Sequence, residues 1–224
     1  MSSRSRCIRC GECCIRSSPT LQEEDLPLLR EGPLERRHLY TIRRGELVRD
    51  PIRDALTVTG REMIKVREGR GETGGCLFYD HGERACRIYD RRPAQCAALR
   101  CWDPREFMEV WGRPKAERRD IVEDGVLLGL MEEHEVRCSY AALENRVREI
   151  PSRGAEAVDG ILDLLRYDYR MRPFLAGRLG IDPAEMDFLF GRPLIETVAM
   201  FGLQVIRRED GSFFLTTAEP PMAR

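Results

Sequence analysis

Nine cysteines among 224 residues, eight of them in two groups, restrict this chain more than any other feature of its sequence. Two residues between cysteines let both sulfurs of one turn face a single metal while backbone N–H groups point at the sulfurs. The spacing therefore predicts a metal site built from thiolates, in which the second group joins the first. The candidate metal ligands are Cys7, Cys10, Cys13 and Cys14 in the first group, and Cys76, Cys86, Cys96 and Cys101 in the second.

Disulfide bonding is the main alternative for so many cysteines. The N-terminus has arginines but no apolar stretch after them, so it lacks the form of a secretory signal. The longest apolar run, residues 126–131, is far shorter than a membrane span. We therefore expect a cytoplasmic protein with no membrane partner. In that reducing compartment an odd number of cysteines argues against a disulfide framework and leaves metal ligation as the leading interpretation.

The spacing leaves the metal open. The run of Cys7, Cys10 and Cys13 is typical of a loop that wraps a cubane iron–sulfur cluster, whose fourth ligand is a distant cysteine. Paired cysteines equally suit tetrahedral zinc. Because the triple-cysteine run is contiguous, we favour an iron–sulfur cluster of the 4Fe–4S type over zinc.

The number of sites is also open. Cys14 directly follows Cys13, and neighbouring side chains on an extended backbone point to opposite sides, so one of the two is expected to serve elsewhere. The eight cysteines form either two four-sulfur sites, or one site with spare thiols. Cys138 lies far from both groups in a predicted helix and is interpreted as a buried structural thiol.

Charge identifies no partner. Lys and Arg number 37 against 38 Asp and Glu, so no overall field steers the protein to nucleic acid. A zinc-finger-like nucleic-acid module would need a basic helix after the metal loop, whereas residues 23–25 are acidic. The partner is expected to be an unidentified protein or small molecule. Arginines border the second cysteine group and form either a solvated basic face or a counter-charge for the thiolates; they are Arg84, Arg87, Arg91, Arg92 and Arg100.

Other motifs carry weaker signals. Residues 69–74 fit the glycine fingerprint of dinucleotide-binding loops, but a strand instead of the required helix is predicted after them, so we expect a loop. His81 falls at the tip of a predicted turn and is expected to be exposed. His38 and His134 have no partners at ligand spacing and are interpreted as surface or satisfied core residues. Glu132, Glu133 and Glu135 with His134 wrap most of a helical turn and are interpreted as a solvated helical face instead of a metal site. No Cys–His pair has a context for nucleophilic catalysis, and whether the protein is an enzyme is left open.

The predicted fold is α+β, with a small cysteine-rich part of short strands followed by a mainly helical half that ends in a β-hairpin. We expect a first helix over residues 21–30 and a helix that begins near Pro93 and carries Cys96. A turn at residues 80–83 should bring Cys76 close to Cys86. The predicted strands are residues 40–42, 56–58, 63–66 and 76–79.

Beyond residue 104 the pattern is helical until a hairpin turn at Asp210-Gly211. The predicted helical segments are residues 104–112, 117–135, 155–170 and 182–202, the last interrupted at residues 191–193. We expect a metal-binding region over residues 1–103 and a helical region over residues 104–224, packed together as one unit.

The order of the motifs resembles a known family. Cys7-x-x-Cys10-Gly11-x-Cys13-Cys14, Cys76-x-Phe78, Cys86-x-Ile88-Tyr89 and Arg92-Pro93-x-x-Cys96 are similar to the YkgJ-type cysteine-cluster family, the zinc- or iron-chelating CxxCxxCC domain. The resemblance covers residues 7–101 and implies that these cysteines chelate zinc or iron. The chain departs from the family where members have an aromatic–Pro pair after the third downstream cysteine, so Cys101 rests on spacing alone.

The resemblance also bears on the role of the protein. A related cysteine cluster occurs in flagellin lysine methylases, which implies methyl-transfer chemistry in some relatives. With an iron–sulfur cluster we expect electron transfer, or support of a redox or methyl-transfer reaction. With zinc the expected role is a structural site in a protein-interaction module.

Overall fold

The computed structural model describes residue 8 and residues 10–69, 74–209 and 211–218. It forms two compact units. The first contains the described residues up to Thr41 together with Glu62–Glu123, and the second contains Ile42–Arg61 together with the described residues from Asp124 onward. The predicted α+β class is confirmed, with short antiparallel strands early, a helical middle and a C-terminal hairpin.

The elements follow one another in short pieces before residue 125 and in longer helices after it. The α-helices are α1 (Glu12–Arg16), α2 (Pro27–Arg30), α3 (Ala94–Ala98), α4 (Arg105–Gly112), α5 (Gly125–Arg137), α6 (Tyr140–Arg153), α7 (Ala155–Leu179), α8 (Met186–Phe190) and α9 (Leu194–Thr197). The strands are β1 (Leu39–Ile42), β2 (Leu47–Asp50), β3 (Ala55–Val58), β4 (Met63–Val66), β5 (Tyr79–Asp80), β6 (Ala85–Cys86), β7 (Leu203–Arg207) and β8 (Phe213–Thr217). Short 3-10 turns lie at Glu23–Asp25, Arg36–His38, Tyr89–Arg91, Arg118–Asp120, Pro183–Glu185 and Val198–Phe201.

The first unit is built around the pair of β1 and β4 and an extended segment at Leu21. The N–H of Leu21 donates to the Ile64 carbonyl at 2.8 Å, and the Leu21 carbonyl accepts from Ala116 at 3.2 Å. Leu21 and Ile64 are both fully buried. The prediction of one helix over residues 21–30 is wrong in its start, because burial holds Leu21 in this extended position, and helix begins only at Glu23.

The second unit has its core between α6, α7, α9 and the β7–β8 hairpin. Leu143, Ile161, Leu165 and Leu194 are fully buried there. The antiparallel register of β7 and β8 pairs Ile206 with Phe214, which confirms the predicted hairpin, although Asp210 of its turn lies outside the described residues.

Two helical predictions in this region are corrected. Residues 117–135 are not one helix: the 3-10 turn at Arg118–Asp120 is followed by α5, whose first turn is capped by the Asp124 carboxylate, which accepts from the Leu127 N–H at 2.9 Å. Helix α6 was not predicted. It is capped by Ser139, whose Oγ accepts from the Ala142 N–H at 3.2 Å, so the sequence held a capping signal for it.

A buried ionic network joins α5, α7 and the first residue of α9. His134 Nε2 lies 2.8 Å from Asp168 Oδ1, and the Arg172 Nη2 donates to the same oxygen at 2.8 Å. Asp168 Oδ2 accepts from the Leu194 N–H at 2.8 Å. His134 is 1 % exposed and bonded to Asp168, which confirms the core alternative for this histidine, whereas the solvated face is confirmed for its exposed neighbours Glu132 and Glu133.

None of the described helices combines the length and the apolar character that a membrane span requires.

Candidate metal centre

The first cysteine loop lies against Tyr79. Gly11 precedes α1 with φ of 81°, a conformation that favours glycine. A Cβ added at Gly11 would lie only 2.0 Å from Tyr79 Oη, so the loop can lie this close to the tyrosine only because residue 11 has no side chain. Tyr79 itself is buried and belongs to the hairpin that carries Cys86. Gly11 thus sets the position of α1, which carries Cys13 and Cys14.

Backbone contacts join the two cysteine groups. The Cys76 N–H donates to the Cys14 carbonyl at 2.7 Å. Gly75 makes this approach possible, because a Cβ there would lie 2.7 Å from the Cys14 carbonyl oxygen, and its φ of 90° again favours glycine. A backbone hydrogen bond therefore joins the first cysteine group to the second at Cys14 and Cys76. The helix that a dinucleotide fingerprint needs does not start in residues 74–80; residues 70–73 of that motif lie outside the described residues.

The β5–β6 hairpin positions Cys86. Tyr79 pairs directly with Cys86, and the Arg87 N–H donates to the Phe78 carbonyl at 2.9 Å. The Asp80 carboxylate closes the turn by accepting the N–H groups of Gly82 and Glu83, at 2.9 and 3.0 Å, and the second of these bonds is the main cause that lowers the pKa of Asp80.

This hairpin confirms the turn predicted at residues 80–83, although its strands are shorter than expected. Cys76 is joined to Glu68 by an isolated bridge and is not part of a regular strand. His81 is exposed at the turn, as predicted, and its ring packs edge-on against Tyr79 at 4.9 Å.

The helix that carries Cys96 is held at its start by Asp25. One carboxylate oxygen of Asp25 accepts the Ala94 N–H at 2.8 Å, and the other accepts the Gln22 N–H at 2.8 Å. Asp25 is 3 % exposed, and this burial raises the pKa of its carboxyl even though both hydrogen bonds lower it. The next residue of α3, Gln95, accepts the Thr20 N–H through its side-chain oxygen at 2.8 Å. Because of these contacts the N-terminal segment and α3 are tied together.

Asp25, Gln95 and Tyr79 were not among the predicted functional residues. They contain no metal-ligand motif, and Asp25 was interpreted only as part of an acidic first helix. Its partner Ala94 is 69 positions away in the chain, so no local pattern could indicate the contact.

Five thiols act on one another electrostatically. They are Cys13, Cys14, Cys76, Cys86 and Cys96. Burial raises the pKa of Cys96 and of Cys76, and the neighbouring thiols raise both further. These effects on the pKa link thiols of the first group on α1 with thiols of the second group in the hairpin region and on α3.

Cys13 and Cys14 share a hydrogen bond, with their sulfurs 3.9 Å apart. This bond is the main cause that lowers the pKa of Cys13 to about 6 and raises that of Cys14. The expectation that the two side chains point to opposite sides is wrong, because α1 places them in one helical turn, whereas the expectation assumed an extended backbone. The lowered pKa favours the thiolate form of Cys13.

The remaining candidates differ in position. Cys7 lies outside the described residues, and Cys10 is half-buried in the loop before α1. Cys101 is exposed in the bend between α3 and α4. Cys138 is fully buried in the second unit, where burial raises the pKa of its thiol to about 12, which confirms its interpretation as a buried thiol.

No three Cys, His, Asp or Glu side chains of the described ranges stand close enough together to hold a single metal ion. The eight-cysteine ligand set accordingly stays a prediction.

Two of the bordering arginines act on the thiols. Arg92 lies over the Tyr89 ring at 4.0 Å, and its charge lowers the pKa of Cys13 and of Cys96. Arg87 lowers the pKa of Cys76 and donates to the Leu77 carbonyl at 2.6 Å. These two supply counter-charge to the sulfurs.

The other bordering arginines have different contacts. Arg100 pairs with Glu106 at 2.8 Å, and both side chains are half exposed. Arg91 donates to the Glu31 carbonyl at 2.6 Å. Arg87 and Arg92 thus act as counter-charge for the thiols, whereas Arg91 and Arg100 bind groups other than the cysteines.

The donor set fits a metal of the zinc or iron class. Clustered thiolates are soft ligands that select zinc and iron–sulfur clusters over calcium or magnesium. Residues 6–115 match the model of the family CxxCxxCC, described as "Putative zinc- or iron-chelating domain". No curated protein and no solved structure gives a significant match to the chain. The matched range contains both cysteine groups, the hairpin, α3 and α4.

Proposed function

We propose that the clustered cysteines of this chain hold a 4Fe–4S cluster, because residues 6–115 match the CxxCxxCC family model. We further propose that the cluster serves electron transfer, or supports a redox or methyl-transfer reaction. The ligands would come from both cysteine groups, with Cys13, Cys76, Cys86 and Cys96 among them.

One observation in the sequence carries the choice of a cluster. The run of Cys7, Cys10 and Cys13, with two residues between successive cysteines, is typical of the loop that wraps a cubane iron–sulfur cluster, whose fourth ligand is a distant cysteine. In the structure burial raises the pKa of Cys96, and Cys13 of the first group raises it further together with Cys76 and Cys86 of the second, which supports a contribution of ligands from both groups.

The chain's own groups suit such a unit. A bound cluster would supply one-electron chemistry at a potential set by its charge, hydrogen bonds and solvent exposure. Arg87 and Arg92 offset the negative charge of the thiolates, and the partly buried position of Cys96 on α3 limits the access of water. The hydrogen bond from Cys14 lowers the pKa of Cys13 to about 6, which favours the thiolate form that binds metal.

The test is purification under anoxic conditions, followed by measurement of iron, acid-labile sulfide and zinc. We expect a brown protein with iron and sulfide in similar amounts. A colourless protein that contains zinc and no sulfide would overturn the cluster assignment.

A structural zinc site is the second candidate, and one distance favours it. The 3.9 Å between the sulfurs of Cys13 and Cys14 is close to the sulfur–sulfur edge of about 3.8 Å in a tetrahedral zinc site. In that case the protein would act as a protein-interaction module with a metal-stabilised fold. The same measurement decides, and removal of the zinc by a chelator should then lower the unfolding temperature.

A further inference from the structure

The hydroxyl group of Tyr79 is enclosed beside the first cysteine loop. Tyr79 is only 8 % exposed, and its Oη lies in the space that a side chain of residue 11 would fill. Among the described residues this hydroxyl has no hydrogen-bond partner. Buried tyrosine hydroxyls usually have such a partner, because an unpaired polar group away from water is unfavourable. The position of Oη therefore indicates that an acceptor beside the loop completes its bonding.

The loop offers few acceptors other than its sulfur atoms. The Gly11 carbonyl already accepts the Ile15 N–H at 2.9 Å, in the first turn of α1. The Glu12 side chain is 68 % exposed, so its carboxylate is hydrated. Cys10 directly precedes Gly11, and Cys13 follows two positions later. The acceptors that remain beside the hydroxyl are the sulfurs of these two cysteines.

The β5–β6 hairpin places the same tyrosine beside the second cysteine group. The Arg87 N–H donates to the Phe78 carbonyl at 2.9 Å, so the adjacent pair of Tyr79 and Cys86 is one that carries no ladder hydrogen bonds. The side chains of such a pair lie on one face of the hairpin and are closer together than those of a hydrogen-bonded pair. Tyr79 therefore neighbours Cys86 on the hairpin and reaches the first cysteine loop with its hydroxyl.

We propose that Tyr79 donates a hydrogen bond from its hydroxyl to a metal-bound cysteine sulfur of the first loop. A thiolate carries negative charge, so this bond is charge-assisted and stronger than a bond to a neutral thiol. Hydrogen bonds to ligand sulfurs tune metal affinity and, in iron–sulfur centres, the reduction potential. Tyr79 is thus a positioning residue of the metal centre. This role rests on the metal binding proposed above, and it is the same for a cluster and for zinc.

The test compares Tyr79→Phe with the parent protein, both purified without oxygen and analysed for iron, sulfide and zinc. Phenylalanine keeps the ring that packs against His81 and removes only the hydroxyl. The variant should bind metal and lose it to an excess of chelator about tenfold faster, since partners of metal ligands change metal affinity by about 10–100-fold. The control is Tyr140→Phe, which removes a buried hydroxyl of the second unit that donates to Thr197 Oγ1 at 3.0 Å. Its metal loss should match that of the parent protein.

A second readout separates a hydrogen bond to sulfur from simple packing. In an iron–sulfur preparation the reduction potential of Tyr79→Phe should be more negative than that of the parent, because the reduced cluster carries more negative charge and has lost a donor. In a zinc preparation exchanged for cobalt(II), the sulfur-to-metal charge-transfer absorption should move to longer wavelength, because a sulfur without the donor gives up electron density more easily. Tyr140→Phe should change neither property.

Two results would overturn the proposal. An unchanged potential in the iron–sulfur preparation, or an unchanged charge-transfer absorption in the zinc preparation, would show that Tyr79 only packs against the loop, even if the variant loses metal faster. Metal binding by the parent protein would still stand in that case. A parent protein without bound metal would overturn both the role of Tyr79 and the metal-binding function on which it rests.

Discussion

Asp25 offers the sharpest test of how the cysteine-bearing helix is held. Asp25→Ala removes one carboxylate that caps α3 through Ala94 and fixes the extended segment through Gln22. Both bonds are 2.8 Å long and the side chain is 3 % exposed. Each buried hydrogen bond to a charged group contributes about 1.5–3 kcal/mol, and relief of the desolvation that raises the pKa of Asp25 returns part of that. We expect a net loss of about 3 kcal/mol in the free energy of unfolding.

The assay is urea unfolding followed by circular dichroism on the metal-loaded protein. A loss of this size shifts the midpoint by about 1–2 M urea, and metal content should fall because α3 carries Cys96. The matched control is Glu24→Ala. Its partner Arg113 lies 2.6 Å away, but both side chains are nearly half exposed, so the loss should stay below about 1 kcal/mol.

The pH dependence gives a second readout of Asp25. Because its folded pKa is raised, the folded protein keeps this proton above the ordinary carboxyl pKa of about 3.9, and stability falls as pH rises through the interval up to the folded value. Asp25→Ala should lack this contribution. Equal midpoints for the two alanine variants would refute the role assigned to Asp25.

Three further predictions concern the loop and the buried network. Gly11→Ala should reduce metal loading severely, because its Cβ would overlap Tyr79 Oη and the backbone φ of 81° favours glycine. Gly177→Ala is the control, since a Cβ there meets no atom within 4 Å, and its metal content should not change. Equal loading of the two variants would contradict this prediction. Asp168→Asn should lower the free energy of unfolding by about 3–5 kcal/mol in calorimetry or urea unfolding, because it leaves the Arg172 charge buried without its carboxylate partner. A loss of less than about 1 kcal/mol would disprove the importance of this ion pair. Burial lowers the pKa of His134 in the folded state, so the unfolded chain takes up a proton first and the free energy of unfolding should fall as pH drops below about 6.5. The His134→Gln variant should lose less stability than the parent protein between pH 7 and pH 5. An equal loss in both would contradict the role of His134 in this pH dependence.

Local patterns explain the parts of the structure that the sequence predicted. The cysteine spacings, the turn at residues 80–83 and the C-terminal hairpin depend on neighbouring residues, and the structure contains both hairpins. Met63–Val66 is a strand over the predicted residues. Helix α3 begins next to the predicted proline and carries Cys96.

Long-range contacts explain the parts that were wrong or missing. Residues 117–135 have helical composition, but the Arg118 guanidinium is buried against Glu62 with a 2.6 Å ion pair, which holds its segment as a single 3-10 turn. Leu21 is extended because Ile64 and Ala116 bond its backbone. The role of Asp25 depends on Ala94, far along the chain, so it became visible only in the folded protein.

The central claim is that both cysteine groups hold one metal centre, and metal analysis of single variants tests it most directly. Iron, sulfide and zinc should be measured per chain in Cys10→Ser, Cys86→Ser and Cys138→Ala, all purified without oxygen. Cys138→Ala is the control, because this thiol is buried in the second unit and its pKa is raised to about 12. The account predicts that Cys10→Ser and Cys86→Ser each lose the metal while Cys138→Ala keeps it. Full metal loading in either of the first two variants would contradict the shared site.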